Sequence, residues 1–68
     1  MNDYYMVTWY MTKAKHNDGS YIAMYDIYKD KSDADEAVKR LSSNKNVNPR
    51  FGENFNIRVD RISHKEVL

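Results

Sequence analysis

Apolar and polar side chains alternate along the first third of the chain. Val7, Trp9 and Met11 alternate with Thr8, Tyr10 and Thr12, the period of two that marks a β-strand with two different faces. The run Tyr5-Met6-Val7-Thr8-Trp9-Tyr10-Met11-Thr12 is the most apolar and aromatic stretch of the sequence. It predicts the central strand of a small sheet, within a strand over residues 4–14. His16-Asn17-Asp18-Gly19-Ser20 is a strong turn signal, and alternation resumes over residues 20–29. Two alternating runs joined in this way predict a β-hairpin.

Turn chemistry selects the hairpin register. A two-residue Asp18-Gly19 loop would set Trp9 opposite Tyr28. A three-residue Asn17-Asp18-Gly19 loop, with Gly19 left-handed, sets Trp9 opposite Ile27, Met11 opposite Tyr25 and Lys13 opposite Ala23. The second register gathers Val7, Trp9, Met11, Ala23, Tyr25 and Ile27 on one face, so it is the expected one.

The period then changes. Ala34, Ala37, Val38 and Leu41 fall on one stripe of a helix expected over residues 33–43. Ser32 is the expected N-cap, with Asp35 three residues on as a weakened capping box. Asp35–Lys39 and Glu36–Arg40 stand at i,i+4 spacing on the wet side. Residues 44–53 read as a loop around Pro49, with Val47 and Phe51 as anchors into the core. Residues 54–63 read as a third strand, with Phe55, Ile57 and Val59 on one face and Asn56, Arg58 and Asp60 on the other. The tail from His64 either extends that strand or frays.

The prediction is a single α+β domain over residues 1–68. Its order is ββαβ, with a three-stranded antiparallel sheet in the order 2-1-3 and one helix packed on one face. The 68 residues allow one domain with a thin stability margin. No cysteine is present, which excludes disulfides and thiolate zinc sites. A net charge of +1 provides no field to gather nucleic acid or anionic lipid. No apolar run approaches a membrane span, and Met1-Asn2-Asp3 lacks the basic start of a signal peptide, so the expected location is the cytoplasm.

One helix covers one face, so the other face of the sheet is expected to stay open. In the chosen register that face displays Met6, Thr8, Tyr10, Thr12, Ile22, Met24, Asp26, Tyr28, Asn56, Arg58, Asp60 and Ile62. Tyr and Met favour protein interfaces, although Tyr and Thr also favour strands on propensity alone. The candidate partner-binding residues are Tyr10, Met24, Tyr28, Arg58, Thr8 and Thr12. The loop over 44–53 is a second candidate contact region.

The chemistry of catalysis finds no footing. His16 and His64 lack partners at ligand spacing, Gly19 and Gly52 form no phosphate loop, and no nucleophile–base arrangement can be proposed. Asp30, Asp33, Asp35 and Glu36 read as helix-start acids rather than a cation site. The expectation is a non-enzymatic binding protein with no metal and no cofactor. Its partner is expected to be a protein, met on the open face or at a strand edge. A nucleic acid or nucleotide on the same aromatics, or a structural homodimer, are the alternatives.

In organisation, with one ββαβ unit, a leading Met1, no cysteine and many Tyr, Asn, Lys and Asp, the chain resembles small stand-alone proteins encoded by bacteriophages. The resemblance implies an inhibitor or regulator that binds a host or defence protein and blocks it. It transfers no individual residue.

Overall fold

The computed structural model describes residues 3–43 and 47–63. The tail with His64 and the loop residues 44–46 lie outside them. The strands are β1 (Asp3–Met11), β2 (Met24–Tyr28) and β3 (Asn54–Ser63), and the helix α1 is Lys31–Ser42. Both neighbours run antiparallel to β1, giving the order β2-β1-β3. The aromatic run is therefore central, as its composition predicts.

One face of β1 makes the core. Val7 is wholly inaccessible and Trp9 is 8% exposed, and both pack against Ala34 and Ala37 of α1. Tyr5, Met11, Met24, Tyr28, Val38, Leu41 and Ile57 surround them. The apolar stripe of the helix is thus the one its spacing predicts. Its start differs. Asp30, with extended backbone, occupies the N-cap and makes no side-chain cap bond, while Ala34 N–H donates to the Asp30 carbonyl at 3.2 Å. Starting at Lys31 displaces Ser32 from the cap, so the expected capping box does not form. Asp35 pairs back to Lys31 at 3.8 Å.

The hairpin tip forms as turn chemistry predicts, and the sheet beyond it does not. His16 N–H donates to the Ser20 carbonyl at 2.7 Å, and Gly19 takes φ +90° in a three-residue loop. Lys15 bridges Tyr21 in the register that this loop dictates. Between this bridge and the sheet, the first strand advances from Lys15 to Trp9 while the second advances only from Tyr21 to Met24. The surplus is absorbed between Trp9 and Ala14, where Thr12 and Lys13 form a turn closed by Ala14 N–H to the Met11 carbonyl at 3.2 Å, while the Ala14 carbonyl accepts from Ile22 N–H at 2.9 Å in the register of the tip. In the sheet Trp9 therefore faces Met24, Val7 faces Asp26 and Tyr5 faces Tyr28. The expected pairing of Trp9 with Ile27 and Met11 with Tyr25 is corrected. Because the shift is odd, it exchanges the two faces of β2.

β3 carries a second irregularity. Val59 pairs with Val7 and Arg58 with Thr8, but Phe55 pairs with Tyr10, leaving one extra residue on β3. Asn56 in this bulge takes φ +53°. Asn is among the few residues with a side chain that tolerate left-handed backbone. The bulge turns Phe55 away from the face of Ile57 and Val59, correcting the expected grouping of those three.

The segment before β3 is built as a small turn. Asn48 Oδ1 accepts from Arg50 N–H at 2.8 Å and from Phe51 N–H at 3.0 Å, and Asn48 and Gly52 exchange both backbone bonds. Val47 and Phe51 are exposed, so neither is the core anchor expected. The turn is held by Thr12 and Lys13, whose N–H groups donate to the carbonyls of Glu53 and Phe51. Glu53 N–H donates to Thr12 Oγ1 at 3.1 Å.

Gly52 lies beneath Thr12 with φ +86°, and a Cβ there would collide with Thr12 Oγ1. Gly19, at φ +90°, faces open space. Gly52→Ala is expected to destabilise the fold by about 2–3 kcal/mol and Gly19→Ala by about 1 kcal/mol, since only the first adds a clash to backbone strain. Urea denaturation of the two variants checks the ranking.

Candidate functional site

Strand alternation and the two register shifts compose the face opposite α1. From β1 it takes Met6, Thr8 and Tyr10, which point away from Val7 and Trp9. β2 contributes Tyr25 opposite Thr8 and Ile27 opposite Met6. β3 contributes Arg58 opposite Thr8, Asp60 opposite Met6 and Phe55 opposite Tyr10. No element among the described residues covers this face.

Three aromatic rings meet at one end of it. Tyr21 stands edge-on to Phe55 at a centroid distance of 5.0 Å, and Tyr10 lies 5.8 Å from Phe55 and 6.2 Å from Tyr21. Lys15 Nζ sits 5.0 Å from the Tyr21 ring centroid. The trio joins residues from the hairpin tip, β1 and β3, and both irregularities are needed to assemble it. Along the same face lie the exposed Tyr25 (65%) and Ile27 (54%).

Of the residues singled out from the sequence, Tyr10, Thr8 and Arg58 belong to this face. Met24 and Tyr28 do not. The register shift turns both toward the helix, where they pack on the core. Asp26, expected on the open face, moves with them. Thr12 lies past the end of β1 and is engaged with Glu53. The residues missed are Tyr21, Tyr25, Ile27 and Phe55. One signal pointed to the error: the expected register set Lys13, a charge, on the core face. The structure instead exposes Lys13 and buries Ala14.

An apolar hollow of about 110 Å³ is lined by Met11, Ala14, Ile22, Met24 and Phe51, with no ionisable or nucleophilic side chain. His16 is exposed at the hairpin tip, and among the described residues no three His, Asp or Glu side chains cluster as metal ligands. Arg61 donates from Nε to Asp3 Oδ2 at 3.0 Å and pairs with it again through Nη2, which raises the pKa of its guanidinium. This ion pair ties the end of β3 to the start of β1.

At the tip, Asp18 Oδ1 accepts from Ser20 Oγ at 2.6 Å and from Ser20 N–H at 2.9 Å. These bonds favour the carboxylate and lower the Asp18 pKa below its ordinary 3.8. A depressed folded value means that the turn gains stability from Asp18 above the unfolded pKa and loses it as pH falls through the folded one. The expected result is an Asp18 carboxyl titration midpoint below 3.8 by NMR, moving back toward 3.8 in Ser20→Ala.

Removing one ring of the trio is expected to cost about 0.5–1.5 kcal/mol beyond its lost burial. Tyr21→Ala, measured with Phe55→Ala and the double variant in a mutant cycle, reads that coupling. Comparison with family models, curated proteins and solved structures finds no match to this chain.

Proposed function

We propose that this chain is a non-enzymatic protein-binding module whose contact surface is the open face of its sheet. The observation that carries the reading is the uncovered patch of Tyr10, Tyr21, Phe55, Tyr25 and Ile27, with Arg58 beside it. Contiguous exposed apolar surface on a small protein marks contact with a partner. Tyr, Phe, Met and Arg are the residue types that protein interfaces favour, and Tyr and Arg dominate their energetic centres. Tyr25 and Ile27 project from an edge strand, where the protein itself asks little of them. The role is that of a stoichiometric inhibitor or regulator, as in the phage proteins that the chain resembles in organisation.

A second reading gains from the turning of Asp26 to the other face. Single-stranded nucleic acid could stack on Tyr10, Tyr21, Tyr25 and Phe55, with Lys15 and Arg58 toward the phosphates. Its signature is affinity that falls steeply with salt.

The paired substitution Tyr25→Ala with Ile27→Ala tests the first reading. Both side chains are exposed, so the variant is expected to keep the circular dichroism spectrum and melting temperature of the wild type. Affinity for a protein partner retained from the native cell is expected to drop at least tenfold, about 1.4 kcal/mol. Undiminished binding by the folded variant would overturn the open face as the contact surface. Fluorescence anisotropy with single-stranded RNA and DNA at low and high salt decides the second reading.

A further inference from the structure

β3 is the long edge of the sheet. It runs ten residues, and among the described residues it pairs with β1 alone. An edge strand displays unpaired backbone donors and acceptors that another strand can complete, and proteins usually blunt it with proline or a bulge. The bulge here is confined to Asn56 and Ile57, the two β3 residues between the Arg58 and Phe55 pairings. From Arg58 to Ser63 the strand pairs regularly with β1 and contains no proline.

Two copies of one strand pair antiparallel about a two-fold axis perpendicular to the sheet. The residue on the axis then faces itself, and residues equally distant on either side face one another. Self-complementarity can therefore be read register by register. An axis at Arg58, Asp60 or Arg61 would oppose like charges, which is unfavourable. An axis at Ile57 would oppose Arg58 to the bulged Asn56. An axis at Val59 sets Val59 against itself, Arg58 against Asp60 of the second copy, and Asp60 against its Arg58.

Other observations favour that register. Arg58 and Asp60 are both exposed, lie on the open face through their pairing with Thr8 and Met6, and join none of the ion pairs of the described residues. Val59 is an exposed apolar side chain on the helix side, where it would meet its own copy. Ile57 would lie along the aliphatic stem of Arg61 of the second copy. The opposite edge offers no equivalent. β2 has five residues, and an axis at its centre opposes Asp26 to itself. Among the described residues Val7 is the one large side chain that is wholly buried, a small core that leaves room for stabilisation by association.

We propose that the chain forms a two-fold dimer in which β3 pairs with β3 of a second copy about Val59, joining the two sheets into one of six strands. The two open faces then lie side by side on one surface and the two helices on the other. The dimer rests on the edge alone and does not depend on what the open face binds.

Charge exchange tests it. Arg58→Asp alone sets acid against acid at two places, and Asp60→Arg alone sets base against base. The double variant restores both pairs with signs reversed, and an equimolar mixture of the two single variants restores them as a heterodimer. Sedimentation velocity from about 1 μM to about 1 mM at low ionic strength is expected to show dimer in the wild type, at least tenfold weaker association in each single variant, and recovery in the double variant and in the mixture. Both positions of the exchange are solvent-facing, and circular dichroism verifies that each variant is folded. A wild type monomeric throughout the range overturns the proposal. So does a dimer unaffected by the single variants, or a failure of the double variant and the mixture to recover.

Discussion

The contact between Val7 and Trp9 on β1 and Ala34 and Ala37 on α1 is the interaction on which the structure depends. The two alanines present almost no bulk, so the helix can lie close over the strand and close the space above Val7. α1, at twelve residues, is near the length below which an isolated helix is marginal in water. It is held by what it covers. Full burial of a side chain such as Val7 contributes about 1.5–3 kcal/mol, and this core has few such contributions. Position, tilt and order of the remaining elements follow from keeping that contact closed.

The same constraint explains why the hairpin has two registers. At its tip, Gly19 and the bonds between His16 and Ser20 fix one pairing. In the sheet, the space beside Trp9 and Tyr5 is filled by Met24 and Tyr28. The two requirements differ by three residues, and the chain satisfies both by turning at Thr12 and Lys13, between the sheet and the tip. Those displaced residues are not idle. Thr12 and Lys13 hold the 48–52 turn, and Ala14 is buried. Packing decides the sheet, turn chemistry decides the tip, and the join between them becomes a docking point for the segment that leads into β3.

This division also marks what the sequence could reveal. The strand order, the apolar stripe of the helix, the left-handed Gly19 and the bounds of β3 were legible because each is set by local pattern or by composition. The faces of β2 were not, because they depend on how many residues leave the ladder between Lys15 and Trp9, which no local pattern records. The face of Phe55 depends on a single extra residue at Asn56. Asn tolerates the conformation, but a strand that contains Asn need not bulge. Tyr10, Thr8 and Arg58 were placed on the open face because they lie on the side of both irregularities that keeps the expected alternation. Met24, Tyr28, Tyr25 and Ile27 were exchanged together, as one odd shift requires.

The alternation along β1 has a consequence for how such a protein can change. Val7 and Trp9 answer to the helix, while Met6, Thr8 and Tyr10 answer to the outside. Neighbours in the chain are therefore held by separate physical constraints. Substitutions at the outward positions, and at Tyr25 and Ile27 beside them, can alter the character of the surface while leaving the inward packing intact. A scaffold divided in this way can change its outer surface residue by residue without having to change its fold.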